Sequence, residues 1–244
     1  METGVYKIAG VRIRICSVYA DVHQLCRDYA DAGQPEVEIR ITQAEICREQ
    51  ELSDQENTLE GLPLQRYPEG YLETLAVYRK LADILIARDI ILFHGSVIAV
   101  DGKAYLFTAK SGTGKSTHTR LWRELFGDRA VMVNDDKPLL AVTPEGVVAY
   151  GTPWNGKHRL GCNMSAPLEA VCILERGEEN RIAPVSPVEA LPMLLQQSHR
   201  PAGAASRLAY LELWDKLASG VRFYRLHCNM DIQAAQVAFE GMQK

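Results

Sequence analysis

The sequence has no apolar run that could cross a membrane. The longest candidates, Ile84–Ile86 and Ile90–Phe93, are short and separated by charged residues, whereas a membrane helix needs about 20 apolar residues. The start, Met1–Gly4, lacks the basic and apolar stretches of a signal peptide, so we expect none. The six cysteines form no Cys-x-x-Cys pair and no zinc-like spacing with histidine, which favours reduced thiols. These absences predict a cytoplasmic protein without a membrane partner.

An excess of basic residues is also missing. The formal net charge is −4, and both signs are mixed along the chain. Binding to a phosphate backbone needs a basic surface, so the composition argues against a general nucleic-acid-binding protein. With 244 residues, of which 47% are hydrophobic, the chain can form one or two domains with a proper core.

The first part of the chain predicts a small α+β region, residues 1–88. Val5–Ile15 alternates apolar and polar residues, as in a strand or hairpin, and Glu36–Thr42 is typical of a half-buried strand. The charged stretch Ala44–Asn57 is compatible with a solvated helix or a loop. Tyr71–Ala87 has apolar residues at helical spacing. We therefore expect a domain boundary after residue 88.

Residues 89–244 predict a second, larger domain. Ser96–Val100 and Ala104–Thr108 flank Asp101-Gly102, a strong signal for a two-residue hairpin, so the second strand should pair antiparallel with the first. Ser186, Pro187 and Glu189 form a capping box with proline at the first helical position. The other expected elements are a hairpin of Leu139–Val142 and Val147–Tyr150, strands Leu168–Leu174 and Val221–Leu226, and helices from Pro187 to about Ser198, Arg207–Ala218 and Ile232–Met242.

A glycine-rich loop, Ala109–Thr117, is the most informative motif. It follows an apolar strand and precedes a helix, the context that a phosphate-binding loop requires. Glycines allow successive N–H groups to point into one concavity, and the helix places its positive end there. Lys115 supplies a cation for the β- and γ-phosphates, and the Ser116 hydroxyl is a hard ligand for Mg²⁺. We expect a nucleoside triphosphate to be bound by Ser111, Gly112, Thr113, Gly114, Lys115, Ser116 and Thr117. The motif normally begins with glycine, and the small side chain of Ala109 should be tolerated.

Asp135 and Asp136 follow the apolar run Ala130–Val133. Two carboxylates at the end of a buried strand are costly unless a cation compensates them. A Mg²⁺ ion bound by Ser116 and one of the two aspartates would compensate this charge. The other aspartate could then take the proton of an acceptor hydroxyl. The alternative is a solvated turn leading into Lys137.

Two further features remain open on sequence grounds. A lone histidine at a strand end, such as His94, is more often a hydrogen-bonded structural residue. The irregular segment Gly151–Gly161 contains Lys157 and Arg159, which could steady a transferring phosphate or an acidic acceptor. A surface turn with solvated charges explains that segment equally well.

The order of these motifs resembles a known family. Leu92-Phe93-His94-Gly95, a hairpin, the loop Ser111–Ser116 and then Asp135-Asp136 resemble the catalytic domain of HPr kinase/phosphorylase. The whole chain is more similar to smaller HPr-kinase-like proteins, which include serine kinases of peptide maturation, as for lasso peptides. Their nucleotide core is shared with phosphoenolpyruvate carboxykinase.

The resemblance implies an α/β fold with a mixed-sheet, phosphate-loop nucleotide-binding core. It also implies an active-site role for His94, Lys115 on phosphate, Ser116 on Mg²⁺, and Asp135 and Asp136 as metal ligand and base. We therefore expect an ATP- and Mg²⁺-dependent kinase that phosphorylates a hydroxyl of a peptide, a protein or a small-molecule alcohol. The alternatives are a nucleotide-sensing regulator without phosphoryl transfer and a carboxykinase-like enzyme.

Overall fold

The computed structural model describes residues 2–61, 63–201 and 203–243, and the chain divides into two compact units, Met1–Ile84 and Leu85–Lys244. The elements up to this division are β1 (Glu2–Ile8), β2 (Val11–Ser17), α1 (Asp21–Leu25), β3 (Val37–Arg40), α2 (Gln43–Glu60) and α3 (Glu69–Ile86). The division therefore falls in the last turn of α3.

The first unit contains a sheet of order β1-β2-β3. β1 and β2 form an antiparallel hairpin, so the alternating segment at the start of the chain is two strands. Ala9 and Gly10 connect them with φ of 48° and 80°, the conformation that a two-residue hairpin turn requires. β3 pairs parallel with β2. The charged stretch that follows is helical, because Thr42 and Glu45 form a capping box at the start of α2.

The second unit contains the remaining elements. They are β4 (Ile90–Leu92), β5 (Ser96–Val100), β6 (Lys103–Thr108), α4 (Lys115–Phe126), β7 (Ala130–Asn134), β8 (Leu139–Thr143), β9 (Gly146–Tyr150), β10 (Ser165–Arg176), β11 (Arg181–Pro184), α5 (Pro187–Gln196), α6 (Ala204–Gly220), β12 (Arg222–Cys228) and α7 (Gln233–Met242). The predicted capping box at Ser186 is present. Helix α5 is shorter than expected, because the chain leaves it after Gln196 and Ser198 forms a bridge with Phe93.

The larger sheet is mixed, with strand order β4-β8-β9-β10-β6-β5-β7, and β12 pairs with β10 and β11. β10 is parallel to both β6 and β12. The pairs β5/β6, β5/β7, β8/β9 and β9/β10 are antiparallel. The prediction of an α/β fold with a mixed sheet is thereby confirmed.

This topology brings three chain segments to one edge of the sheet. The β5/β6 hairpin turns at Asp101 and Gly102, whose φ values are 52° and 80°, as predicted for this pair of residues. Ser96 at the start of β5 pairs with Phe107 near the end of β6. Val97 pairs with Asn134 at the end of β7. The loop after β6 and the residues that flank Ser96 and Asn134 therefore share an edge.

Apolar side chains cover both faces of this sheet. Leu106 and Val171 belong to one buried cluster together with Trp214 of α6. Phe107, the next residue of β6, belongs to a second cluster with Trp122 of α4. Complete burial of a large apolar side chain contributes about 1.5–3 kcal/mol to folding. Helices thus pack on both sides of the sheet and hold in place the edge that carries the glycine-rich loop. No helix in the described part of the chain is long and apolar enough to cross a membrane.

Candidate functional site

The loop between β6 and α4 adopts a conformation that depends on glycine. Gly112 and Gly114 have φ of 74° and 124°, values that L side chains rarely adopt. A Cβ atom at either position would meet no atom within 4 Å, so the backbone conformation is what requires glycine. The Thr113 amide and hydroxyl both donate to the Lys110 carbonyl, at 3.2 and 2.8 Å. The result is a tight, open turn at the start of α4.

Helix α4 is held by its buried face. Leu121 and Trp122 are almost fully buried, and Trp122 Nε1 donates to His118 Nε2 over 3.0 Å. Burial lowers the pKa of His118 to about 4, which keeps the ring neutral and able to accept this bond. The helix begins after Gly114, so its positive end lies at the glycine-rich loop, where it favours an anion.

Lys115 links this loop to the acidic segment after β7. Its Nζ atom lies 3.4 Å from the Ala109 carbonyl. Burial and the Lys137 ammonium lower the pKa of Lys115, whereas the Asp136 carboxylate raises it. The net effect is a Lys115 pKa below its usual value. Lys115 and Asp136 are therefore close enough to interact electrostatically.

His94, Asp136 and Lys137 form a hydrogen-bonded group. Asp136 Oδ1 lies 3.2 Å from His94 Nε2 and 3.4 Å from Lys137 Nζ. The bond to Asp136 raises the His94 pKa, but burial and the charges of Lys137 and Lys115 lower it by more, so the net pKa is below the usual value. Burial raises the Asp136 pKa, while His94 and Lys137 lower it by more. At neutral pH, a neutral imidazole therefore donates from Nε2 to an ionised carboxylate.

The expected proximity of His94 to the acidic pair is confirmed by this contact, whereas the catalytic roles of the residues stay predictions. Hydrogen bonds to backbone carbonyls place both partners. The Gly95 amide donates to the Asp136 carbonyl at 3.0 Å, and the Ser96 hydroxyl donates to the Asp135 carbonyl at 3.1 Å. The Thr108 hydroxyl donates to the His94 carbonyl at 3.3 Å. Three adjacent strands thus fix the position of the imidazole.

Asn134, which is fully buried, organises the acidic pair. Its Oδ1 atom accepts from the Asp136 and Lys137 amides at 2.9 and 2.6 Å. Its Nδ2 atom donates to the carbonyl and the hydroxyl of Thr152 at 3.2 and 3.1 Å. A buried amide with these partners holds a tight turn, and the same amide ties that turn to the segment Gly151–Gly161.

The segment Gly151–Gly161 closes directly onto Asp135. The Gly156 amide donates to Asp135 Oδ1 at 2.8 Å, and a Cβ atom on Gly156 would lie only 3.1 Å from Asp135 Oδ2. The absence of a side chain at this position therefore favours the close approach. The Thr152 hydroxyl also donates to the Lys137 carbonyl at 2.7 Å. The negative charge of Asp135 and Asp136 is thus partly compensated by the Gly156 amide and the Lys137 ammonium.

Two residues of the site were missed by the sequence reasoning. Arg176, at the end of β10, donates from Nη2 to the Gly112 carbonyl at 2.6 Å, because Ile173 pairs with Thr108 in the neighbouring strand. No local pattern marks this arginine. Lys137 was read only as part of a turn, although its position next to Asp136 was a usable signal.

The oxygen atoms at this edge suit Mg²⁺ better than a metal that needs many protein ligands. No cluster of three or more histidine, cysteine or acidic side chains fit to hold a metal occurs in the described residues. Asp135 and Asp136 use Oδ1 for the contacts given above, and within the described chain no hydrogen bond engages their Oδ2 atoms. The Ser116 side chain is exposed. Mg²⁺ typically takes one or two carboxylates together with water and phosphate oxygens, so this donor set fits the ion.

The fold and site define a mixed α/β protein with a glycine-rich loop beside a histidine–aspartate pair. A family model described as "SynChlorMet cassette protein ScmC" matches residues 72–233, well over half of the chain. The chain therefore belongs to the ScmC family.

Two other comparisons add little to this assignment. A comparison with curated proteins gives no match. The HPr(Ser) kinase/phosphatase from Coxiella burnetii aligns with a TM-score of 0.35 and 10% sequence identity, covering 61% of this chain and 94% of that chain. At this TM-score the likeness carries no argument about function.

Proposed function

We propose that this protein is an ATP- and Mg²⁺-dependent kinase that transfers the γ-phosphoryl group to a hydroxyl. The acceptor would be serine or threonine in a peptide or protein, or a small-molecule alcohol. The observation that carries the proposal is the contact of His94 with Asp136, 3.2 Å apart, at the end of the strand that leads into the glycine-rich loop with Lys115. This arrangement supports a site in which a cation of the glycine-rich loop would act beside groups that can handle a hydroxyl proton.

The loop and its neighbours suit a triphosphate. The positive φ values of Gly112 and Gly114 leave an open turn at the positive end of α4. Lys115 would contact the β- and γ-phosphates. Arg176, held on the Gly112 carbonyl, adds a second cation beside the loop. Ser116 and one carboxylate would hold Mg²⁺, which supplies positive charge to offset the charge on the phosphates.

The carboxylates suit different tasks. Burial raises the pKa of Asp136, but His94 and Lys137 lower it by more, so this carboxylate stays ionised and we assign it to the cation. Asp135 is then left to accept the proton of the acceptor hydroxyl. In the transfer, the hydroxyl oxygen forms a bond to the γ-phosphorus atom, and the bond from that atom to the bridging oxygen of ADP breaks. The proton passes to Asp135, and His94 orients Asp136 through its Nε2–H group.

Transfer of label from ATP tests the proposal. The protein is incubated with γ-labelled ATP, Mg²⁺ and a cell extract, and the products are separated into proteins, peptides and small molecules. We expect label on an acceptor hydroxyl with the wild-type protein and none with Lys115→Ala. Nucleotide binding without any labelled acceptor would favour a sensor. Label on an enol or carboxylate would favour a carboxykinase-like enzyme.

A further inference from the structure

The segment Gly151–Gly161 carries an exposed basic tip, which we define as Lys157, His158 and Arg159. All three residues are exposed. Within the described part of the chain, neither Lys157 nor Arg159 has an acidic side chain at ion-pair distance. By contrast, Lys137 of the neighbouring turn contacts Asp136. Among the described residues, the positive charge of Lys157 and Arg159 is therefore not neutralised by an ion pair.

The basic tip is held beside the acidic pair. The Gly156 amide is bonded to Asp135, and Asn134 Nδ2 lies 3.4 Å from the Trp154 carbonyl. Beyond the tip, a Cβ atom on Gly161 would lie 3.0 Å from Asn134 Cα. Both ends of the tip are thus packed against the end of β7, and its position relative to Asp135 is set by these contacts.

The backbone of the tip turns sharply. The Arg159 amide donates to the Gly156 carbonyl at 2.9 Å, and Arg159 has a φ of 46°. This left-handed conformation is uncommon for a residue other than glycine. Three residues span at most about 10 Å, so the Arg159 backbone lies within that distance of Gly156, which touches Asp135.

We infer that the basic tip binds acidic residues next to the acceptor hydroxyl, so that the acceptor is an acidic peptide segment; this rests on the proposed function. An acceptor hydroxyl must reach Asp135, which takes its proton in the proposed function. An extended peptide advances about 3.3 Å per residue, so side chains one to three positions from the hydroxyl fall within the range of the tip. Arginine and lysine pair favourably with carboxylates, arginine in a bidentate manner.

The charge distribution around the site explains how the basic tip would help an acidic acceptor to bind. Two aspartates and a net charge of −4 repel an acidic acceptor, and the basic tip offsets that repulsion where the acceptor must bind. The nucleotide has its own cations in Lys115 and Arg176. A small anion would need a concave site that buries most of its surface, whereas the tip is exposed and suits an extended chain.

Binding of labelled peptides tests the inference. Each fluorescein-labelled peptide contains a single serine, which is flanked by glutamate, glutamine or lysine residues. Binding is measured by fluorescence anisotropy in the presence of Mg²⁺ and a non-hydrolysable ATP analogue. For the wild-type protein we expect the acidic peptide to bind about tenfold more tightly than the glutamine peptide at low salt, with the difference reduced at about 0.5 M salt. The variant Lys157→Ala/Arg159→Ala should lose this preference, and Lys157→Glu/Arg159→Glu should favour the lysine peptide.

A matched variant controls for the loss of charge. Lys7→Ala/Arg27→Ala removes two exposed cations in the first unit and should keep the preference. Equal affinities of the wild-type protein for the acidic and glutamine peptides, absence of binding to every peptide, or a preference retained by the tip variant would each overturn the inference.

Phosphorylation of the same peptides separates this inference from the proposed function. Acidic peptides that bind through the tip but gain no label from ATP would contradict the kinase proposal and leave the recognition intact. Label transferred without regard to flanking charge would support the kinase and overturn the role of the tip.

Discussion

His94 Nε2 lies 3.2 Å from Asp136 Oδ1, a contact that joins the segment between β4 and β5 to the turn after β7. The His94 pKa is below its usual value, because burial and two nearby lysines outweigh the bond to the carboxylate. The Asp136 pKa is lowered too. The pair is therefore a neutral donor and an ionised acceptor at neutral pH, and it lies beside the cation of the glycine-rich loop.

His94→Gln should reduce kcat by about tenfold or more, because the side chain that orients Asp136 is lost. Activity should need neutral His94, so the wild-type rate should rise with pH through a pKa below 6.5. The variant should lack this acidic limb. A pH profile of kcat measures both effects, and an unchanged profile would assign His94 a structural role only.

Asp135→Asn and Asp136→Asn should each reduce the rate of transfer by at least ~10²-fold, the effect of losing a general base or a cation ligand. The amide side chain in Asp135→Asn keeps an oxygen for the Gly156 amide, so the segment Gly151–Gly161 should stay in place. Nucleotide affinity should change less than the rate. Initial rates and calorimetry measure the two quantities, with the exposed Asp128→Asn as a control. Wild-type rates in both variants would show that the pair is structural.

Lys115→Ala should weaken binding of ATP and abolish transfer, because it removes the cation between the glycine-rich loop and Asp136. Calorimetry with ATP and Mg²⁺ tests binding, and labelled ATP tests transfer. Lys7→Ala, an exposed lysine of the first unit, serves as the control. Unchanged affinity together with unchanged turnover would refute the assignment of the loop.

Arg176→Gln should raise KM for ATP by about tenfold and change kcat less, because the bond that supports the Gly112 carbonyl is lost. A hydrogen bond to a charged group contributes about 1.5 kcal/mol or more, which corresponds to roughly a tenfold change in affinity. Steady-state kinetics with ATP as the varied substrate measure the effect. Arg181→Gln, which removes an exposed guanidinium 4.0 Å from Glu179, is the matched control. An equal loss in the two variants would contradict a role for Arg176 in the loop.

Acidification should destabilise the fold through His118. Its folded-state pKa is lowered by burial to about 4, so the unfolded chain, with a pKa near 6.5, takes up the proton first. The stability is therefore present above pH 6.5 and is lost as the pH falls towards 4. From this residue the free energy of unfolding should fall by about 2 kcal/mol between about pH 7 and about pH 5. Denaturant unfolding at both pH values should show this loss in the wild-type protein and not in His118→Gln. The same loss in both proteins would assign it to other groups.

Local patterns predicted many of the elements. The Asp101-Gly102 pair marks the β5/β6 hairpin, because both residues must adopt positive φ. The Ser186–Glu189 capping box marks the start of α5. The helix α2 had the same signal in Thr42 and Glu45, yet the charged stretch after it left a loop as an alternative. The end of α5 was placed too late, since Ser198 leaves the helix to bridge Phe93, a long-range contact without a local signal.

The sequence predicted only those residues of the candidate site whose positions follow from the hairpin and the strand ends. His94 and Asp136 meet beside the loop that carries Lys115, because one hairpin and one strand end place them at the same edge, and that reasoning needs only the sequence. Arg176 was missed because it reaches the Gly112 carbonyl only through the pairing of β10 with β6, which the sequence did not predict. The contact of Gly156 with Asp135 uses a backbone amide. Because every residue except proline has such an amide, the residue type gave no signal for this contact.

The sequence by itself determined the elements whose geometry depends on near neighbours: the hairpin turn, the glycine-rich loop and the helix caps. It also determined the charge at the strand ends, because Asp135 and Asp136 follow directly on an apolar strand. The tertiary structure alone decided which strand lies beside the loop, how burial and the lysines set the protonation of His94, and where the basic tip is held. Those properties depend on distances between residues far apart in the chain, which only the packed sheet and its helices can set.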